Sequence, residues 1–204
     1  FHMQQNHSAW LTEDLKKWMQ KKGEDALLAP IPHITDAVPP HCPGTAHHPG
    51  TIHDYYSNGD YWWPNPDTAD SLPYIRRDGQ TNPGNFDGHR QLLRRMRTNI
   101  AMLAAAYRLT KEERFAARAV RILKEFFLDE ETRMNPHLSY AQAIPGICDG
   151  RGIGIIDTLH LCDVPFAIQA LAPSPHMTEA ICKGLKSWFA AYLGWMLTSP
   201  NGIA

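Results

Sequence analysis

A chain of 204 residues, 43% of them hydrophobic, is long enough to bury one sizeable core or two small ones. Its formal net charge of −1 argues against bulk electrostatic attraction to nucleic acid or to a membrane, so a polyanion must be held by a local cluster of residues. No run approaches the roughly 20 apolar residues that span a bilayer, and the first residues lack the charged-then-apolar order of a signal peptide.

The first predicted element is an N-terminal helix within residues 1–28. Ser8 or Thr12 can cap its start, and Gly23 interrupts its apolar pattern. Residues 29–86 are rich in Pro, Gly, His, Asn and Asp and show no sustained period, which predicts a long irregular lid loop. So long a loop in a compact domain is typically functional. The helical stripe consists of Leu11, Leu15, Trp18 and Met19.

Two further helices are predicted next, within residues 87–204. Apolar three-four spacing indicates one helix from about Asp87 to Leu109, and Thr110 with Glu113 forms a capping box for the second. Because the link is short, the two helices are expected to be antiparallel neighbours, an αα-hairpin. Their stripes are Leu93, Met96, Ile100, Leu103 and Tyr107, then Phe115, Ala119, Ile122, Leu123 and Phe126.

Two more helices complete the predicted fold. Residues 153–171 predict a third helix weakened by Pro165, and a fourth starts with Ser174 as its cap and Pro175 at its first position. No segment shows convincing strand alternation, so the predicted class is all-α, a single domain of stacked helical hairpins. Because the apolar faces of two or three hairpins need further neighbours, we expect the chain to be part of a larger helical array or toroid. The stripe of the fourth helix is Met177, Ile181, Leu185, Trp188, Tyr192 and Met196.

Two stretches carry the candidate chemistry. In HDYYSNGDYWWPNP, residues 53–66, two prolines follow Tyr61, Trp62 and Trp63, whose flat faces and polar edges suit stacking on sugar rings or bases. The alternative for these aromatic residues is a small satellite core. The second stretch, residues 132–158, combines glycines that let backbone approach a ligand with polar groups that recognise carboxylates or hydroxyls. Its polar residues include Arg133, Asn135, His137, Tyr140, Gln142, Arg151 and Asp157.

These stretches together resemble the alginate lyase domain family. The similarity covers roughly residues 51–202, through HDYYSNGDYWWPNP, RRDGQTNP, TRMNPHLSYAQAIPG, GRGIGIIDT and LTSPNG in that order. The resemblance implies an incomplete (α/α) toroid and cleavage of a uronate polysaccharide such as alginate by β-elimination. It also implies an acidic polysaccharide as partner, no metal or other cofactor, and a secreted or periplasmic location.

The resemblance further implies an Asn-His pair and a later Tyr as catalytic residues. The chain departs from the family here, because its only Asn-His dipeptide is Asn6-His7, far from the expected place after LTSPNG. We therefore expect the catalytic groups beyond Ala204 and a chain that is inactive alone, with Tyr140 as the only acid or base to consider in this part. The expected substrate-binding residues are Tyr61, Trp62, Trp63, Asn135, His137, Tyr140, Gln142 and Arg151.

Structural alternatives remain open for several of these residues. Arg151 could instead pair with Asp157 or Asp149, and His137 could hold the turn after Pro136. A non-catalytic helical-repeat scaffold and an (α/α)-barrel glycoside hydrolase using Asp149 and Asp157 are the alternative functions.

Three other features of the sequence are not assigned to the site. The four cysteines, at positions 42, 148, 162 and 182, form no C-x-x-C pair and are expected to be reduced. One loop contains potential metal ligands, but their spacing matches no closed zinc site. Arginines on one face of each hairpin helix are interpreted as a solvated outer face. The loop ligands are His41, Cys42, His47, His48 and His53, and the arginines are Arg90, Arg94, Arg97, Arg114, Arg118 and Arg121.

Overall fold

The computed structural model describes residues 11–39 and 51–204. Within these ranges most residues are helical, and two 3₁₀ segments occur at Ile34–Asp36 and Gly152–Cys162. The α-helices there are α1 (Glu13–Leu28), α2 (Gly88–Thr110), α3 (Glu113–Phe127), α4 (Asp163–Leu171), α5 (Glu179–Thr198) and α6 (Pro200–Ile203).

The core forms around α2, which contacts α1, α3 and α4. All five stripe residues of α2, from Leu93 to Tyr107, are buried, and so are all five of α3. The helical period predicted for both segments is thus confirmed, and the bounds of α2 lie within one residue of the prediction. On the α5 side, Phe127 meets Trp188 edge to face with ring centroids 4.7 Å apart, which joins α5 to the same core.

Helix α1 packs through small residues and not through its predicted stripe. Thr12 caps it as expected, since its Oγ1 accepts a hydrogen bond from the Leu15 amide at 3.2 Å. Leu15 and Trp18, however, are 40% and 49% exposed, so the predicted buried face was wrong. A Cβ atom added at Gly23 would lie 2.4 Å from the Cβ of Ala106. Gly23 therefore permits the close approach of α1 to α2 and does not interrupt the helix.

Three predictions about helix starts need correction. Glu113 was expected to complete a capping box with Thr110, and Ser174 was expected to cap α5. Instead, the Ser174 hydroxyl donates a hydrogen bond to the Glu113 carboxylate at 2.6 Å. Thr110 lies in the last turn of α2, where its hydroxyl donates to a carbonyl of the same helix at 2.9 Å. Thr178 caps α5 instead, because its Oγ1 accepts a hydrogen bond from the Ile181 amide at 3.4 Å. Pro165 lies in the first turn of α4, where it leaves the helical hydrogen bonds intact.

The predicted lid loop contains strands that the sequence did not reveal. β1 (Tyr56–Asn58) pairs in parallel with β4 (Tyr140–Ala143), and β2 (Trp62–Trp63) pairs antiparallel with β3 (Ile75–Arg76). Strands of two to four residues are too short to show a period of two. The fold is mostly helical, in agreement with the predicted all-α class, and its few short strands were not predicted.

The segment Gly152–Leu171 departs from the expectation that no run is long and apolar enough to cross a bilayer. Its 20 residues have a mean hydropathy of 1.2, sufficient by length and composition alone. Asp157 and Asp163 of this segment pair with Arg90 and Arg97 of α2, at 3.2 and 2.6 Å. A core segment of a folded domain passes the same test of length and composition, and Asp157 of this segment is buried, with 4% of its side chain exposed.

Candidate functional site

Pairing of β1 with β4 brings the two chemistry-bearing stretches together. Tyr56 lies opposite Tyr140, and the amide of Gly59 donates to the carbonyl of Ala143 at 2.9 Å. Between these contacts, the Ser57 hydroxyl oxygen accepts a hydrogen bond from the amide of Gln142 at 2.9 Å. The aromatic loop and the glycine-punctuated stretch, some 85 residues apart in sequence, are thus joined by backbone.

A buried carboxylate, that of Asp157, lies beneath this junction. It accepts hydrogen bonds from the Tyr55 hydroxyl at 3.1 Å, the Ser57 hydroxyl at 2.5 Å and Gln142 Nε2 at 3.1 Å. Arg90 Nη2 lies 3.2 Å from Asp157 Oδ1 and 3.3 Å from Oδ2. With its lone pairs occupied and 4% of its side chain exposed, this carboxylate is poorly placed to act as the general acid or base of a hydrolase.

The environment of Asp157 affects its neighbours. Burial raises the pKa of Tyr55 well above its usual value, and the negative charge of Asp157 adds to the effect, so the phenol stays protonated and donates. Burial acts to lower the pKa of Arg90, but its bond to Asp60 and the charge of Asp157 outweigh burial and raise it. Arg90 has a side chain only 15% exposed, so the expected solvated outer face was wrong for this arginine. Arg90 therefore belongs to the charge network of the site.

Gln142 connects Asp157 to Arg151. Arg151 donates through Nε to the Gln142 carbonyl at 2.9 Å and through Nη2 to Gln142 Oε1 at 3.1 Å. Gln142 has a backbone φ of +57°, a left-handed conformation that is uncommon outside glycine and often found at functional sites. The guanidinium of Arg151 is thus bonded to Gln142, and not to Asp157 or Asp149 as the structural alternative had it.

A cleft of about 340 Å³ opens beside this pair. It contains both positive and negative groups together with aromatic faces, a combination that suits an acidic sugar. Gly59 borders the site closely, because an added Cβ would lie 2.6 Å from Trp62 Cδ1 and 2.8 Å from Arg151 Nη2. The lining residues are Asp60, Tyr61, Trp62, Arg76, Gln142, Arg151, Ile153 and Ile156.

Four of the predicted binding residues, Tyr61, Trp62, Gln142 and Arg151, thus share one cleft, whereas Trp63 lies apart from its lining. The indole N–H of Trp63 donates to the Gln80 carbonyl at 2.9 Å. The guanidinium of Arg77 lies 4.9 Å from the centre of the same ring. Both contacts join Trp63 to the segment that follows β3.

The side chains of Asn135 and His137 contact Asp54 in the structure. Asn135 Nδ2 donates to Asp54 Oδ1 at 2.7 Å, and His137 Nε2 lies 3.0 Å from the same oxygen. Burial acts to raise the pKa of Asp54, but the hydrogen bonds of His137, Asn135 and the Thr51 amide outweigh burial and lower it. Tyr140 packs edge to face on His137 with ring centroids 6.2 Å apart. Among the described residues, these three side chains do not line the cleft.

Sequence reasoning missed Asp60, Arg76 and Arg90 as parts of the site. Asp60 was not among the candidate residues, yet it lines the cleft and pairs with Arg90 at 2.9 Å. The motif RRDGQTNP contained Arg76, but nothing in its spacing separated it from Arg77. Only the β2–β3 pairing, which places Arg76 opposite Trp62, could have identified it.

The loop residues named as potential metal ligands fall mostly outside the described residues. Of that cluster only His53 is described, and its Nδ1 donates to the Arg133 carbonyl at 2.8 Å. In residues 11–39 and 51–204, no group of three His, Cys, Asp or Glu side chains could hold a metal ion. Cys148, Cys162 and Cys182 are free.

Comparison with known proteins identifies the family of the chain. The family model for alginate lyase matches residues 44–204. The chain belongs to the alginate lyase family. The crystal structure of an alginate lyase from Bacteroides ovatus is similar, with a TM-score of 0.81 and 38% sequence identity. The similarity covers 92% of this chain and 48% of that one, so the chain spans about half the length of this relative. No curated protein matches the chain.

Proposed function

We propose that this member of the alginate lyase family is the substrate-binding part of a lyase that cleaves a uronate polymer by β-elimination. The observation that carries the proposal is the cleft in which Arg151 and Gln142 meet Tyr61 and Trp62. Arginine matches a carboxylate with two parallel hydrogen bonds, and aromatic faces suit the apolar faces of sugar rings. Both features are needed to bind an acidic polysaccharide.

The chemistry explains why donors to the sugar carboxylate are required. In β-elimination a base removes the proton at C5, the electron pair forms a C4–C5 double bond, and O4 leaves with a proton. Removing that proton places negative charge beside the sugar carboxylate, so the carboxylate must be neutralised by donors already in position. In our proposal Arg151 supplies this neutralisation at one sugar of the cleft, and Arg76 contacts a neighbouring sugar.

We further propose that the acid and base belong to a part of the lyase other than residues 11–39 and 51–204. The alginate lyase from Bacteroides ovatus is about twice as long as the matched region. An apolar groove of about 450 Å³ between the 3₁₀ segment and α5 has Ile156 in its lining, which it shares with the cleft. Further helices of an incomplete (α/α) toroid packed on this groove would complete the cleft. Because a polymer does not cross membranes unaided, we expect such an enzyme to be secreted or periplasmic.

Direct binding tests the proposal without requiring turnover. We expect a saturated alginate trisaccharide, titrated calorimetrically, to bind the chain, and Arg151→Ala to weaken binding by tenfold or more, since a charge-assisted hydrogen bond contributes about 1.5–3 kcal/mol. Arg94→Ala, which removes the same charge from an exposed position of α2, is the matched control. Equal affinity of wild type and Arg151→Ala, or equal weakening by both variants, would contradict the proposal.

A second experiment separates lyase from hydrolase chemistry. In the longest available form of the enzyme, treatment of alginate is expected to generate the absorbance of the new C4–C5 double bond. New reducing ends without that absorbance would indicate hydrolysis and refute β-elimination.

A further inference from the structure

The hydrogen-bonded series Asp157, Gln142 and Arg151 carries an inference that rests on the proposed function and extends it. We propose that Asp157 and Gln142 are positioning residues, which orient Arg151 so that its outer edge meets a sugar carboxylate. In this account Gln142 acts on the substrate through Arg151 and not by direct contact.

Asp157 sets the orientation of the Gln142 amide. An ionised carboxylate can only accept hydrogen bonds, so the amide nitrogen of Gln142 must face it. Nε2 accordingly lies 3.1 Å from Asp157 Oδ1. The amide oxygen therefore points to the other side, where Arg151 Nη2 donates to it at 3.1 Å.

Gln142 in turn occupies one edge of the Arg151 guanidinium. Nε and Nη2, which form the side edge of the group, donate to the main-chain oxygen and the side-chain oxygen of the same glutamine. The φ of +57° at Gln142 allows one residue to present both oxygens. The end edge of the guanidinium, formed by Nη1 and the second hydrogen of Nη2, then matches a carboxylate bidentately.

The arrangement is fixed before any ligand binds. Tyr55, Ser57 and Arg90 hold the Asp157 carboxylate from other directions, and 6% of Gln142 is exposed. Gly59 leaves no space for a side chain beside Arg151 Nη2. A cation that is already oriented loses little conformational freedom on binding, which favours affinity.

A double-mutant cycle tests whether Gln142 acts through Arg151. The probe is a saturated alginate trisaccharide, and the variants are Gln142→Met, Arg151→Ala and the double substitution. We expect each single substitution to weaken binding by about tenfold, and the double variant to bind within a factor of two of Arg151→Ala. Multiplied losses in the double variant would overturn the inference, because they would mean that Gln142 contacts the sugar independently.

A neutral probe distinguishes positioning from a general structural effect. The same trisaccharide with its carboxylates reduced to alcohols is expected to bind wild type and Gln142→Met equally. A loss of affinity for this neutral sugar in Gln142→Met would show that the substitution damages the cleft as a whole, which overturns the inference. If Gln142→Met does not fold, Gln142→Asn replaces it with the same expected pattern, since asparagine tolerates positive φ but is too short to bridge Asp157 and Arg151.

Failure of the inference differs from failure of the proposed function. Absence of any wild-type binding to the charged trisaccharide refutes both. If wild-type binding depends on Arg151 but Gln142→Met lowers the affinity independently of Arg151, the proposed function stands. Only the positioning role is then refuted.

Discussion

Acidification from pH 7 to pH 4 is expected to destabilise the fold through His89. This residue of α2 is 1% exposed and connects the helix to β1 and to the chain near residue 37. Its Nδ1 accepts a hydrogen bond from the Tyr56 amide at 2.9 Å, and its Nε2 donates to the Ala37 carbonyl at 2.7 Å. An imidazole that accepts at one nitrogen and donates at the other must be neutral, so protonation breaks the bond to Tyr56.

The magnitude follows from the two protonation equilibria. Burial lowers the pKa of His89 from 6.5 to about 4, although its bond to Ala37 and the charge of Asp54 act in the opposite direction. Because the unfolded chain takes up the proton first, the stabilisation is complete above pH 6.5 and is lost as the pH falls towards 4. A difference of about 2.5 between the two values corresponds to about 3 kcal/mol at roughly 1.4 kcal/mol per pKa unit.

The assay is urea denaturation at several pH values between 7 and 4, for wild type and for His89→Gln. Glutamine is neutral throughout this range, so the variant lacks the proton uptake of His89. The carboxylates with lowered pKa values, Asp54 and Glu125, also lose stabilisation on acidification, but they do so in both proteins. We expect wild type to lose about 3 kcal/mol more than the variant over this range. Equal losses in the two proteins would refute the reasoning.

Two helical glycines and one core aromatic residue give further predictions for urea denaturation. Gly23→Ala should lower the free energy of unfolding by about 1–3 kcal/mol, because its Cβ would lie 2.4 Å from that of Ala106. Gly194→Ala, with no atom within 4 Å of the added Cβ, should raise the free energy of unfolding by about 1 kcal/mol. Changes of the same sign and size in the two variants would contradict the α1–α2 contact. Phe126→Ala should lower the free energy of unfolding by about 3–5 kcal/mol, since Phe126 is fully buried, and a loss below about 1 kcal/mol would place Phe126 outside the core.

The helices of the fold could be predicted where one face is buried throughout. The stripe of α2 gave the helix within one residue, because burial along one face produces a period of 3.6. The buried residues of α1 are Gly23 and Ala26, and such small residues produce no apolar stripe in the sequence. Leu15 and Trp18 have helical spacing, but both are exposed, so their pattern did not indicate a buried face.

The site could be predicted in part. Tyr61, Trp62, Gln142 and Arg151 were recognised as candidate binding residues from their types and motifs, and the structure brings them into one cleft. The role of Arg90 was hidden, because its helical spacing with Arg94 and Arg97 suggested a solvated row. Long-range pairing decides which arginine is buried, and spacing along one helix carries no information about a partner such as Asp157, 67 residues away.

A crystal structure of the chain with bound saturated alginate trisaccharide would decide whether Arg151 holds a sugar carboxylate. We expect a sugar carboxylate within about 3 Å of Arg151 Nη1 and Nη2, and a sugar ring packed on Trp62. A trisaccharide bound elsewhere, for instance in the pocket of Arg133, Asn135 and Trp188, with the Arg151 cleft empty, would contradict it.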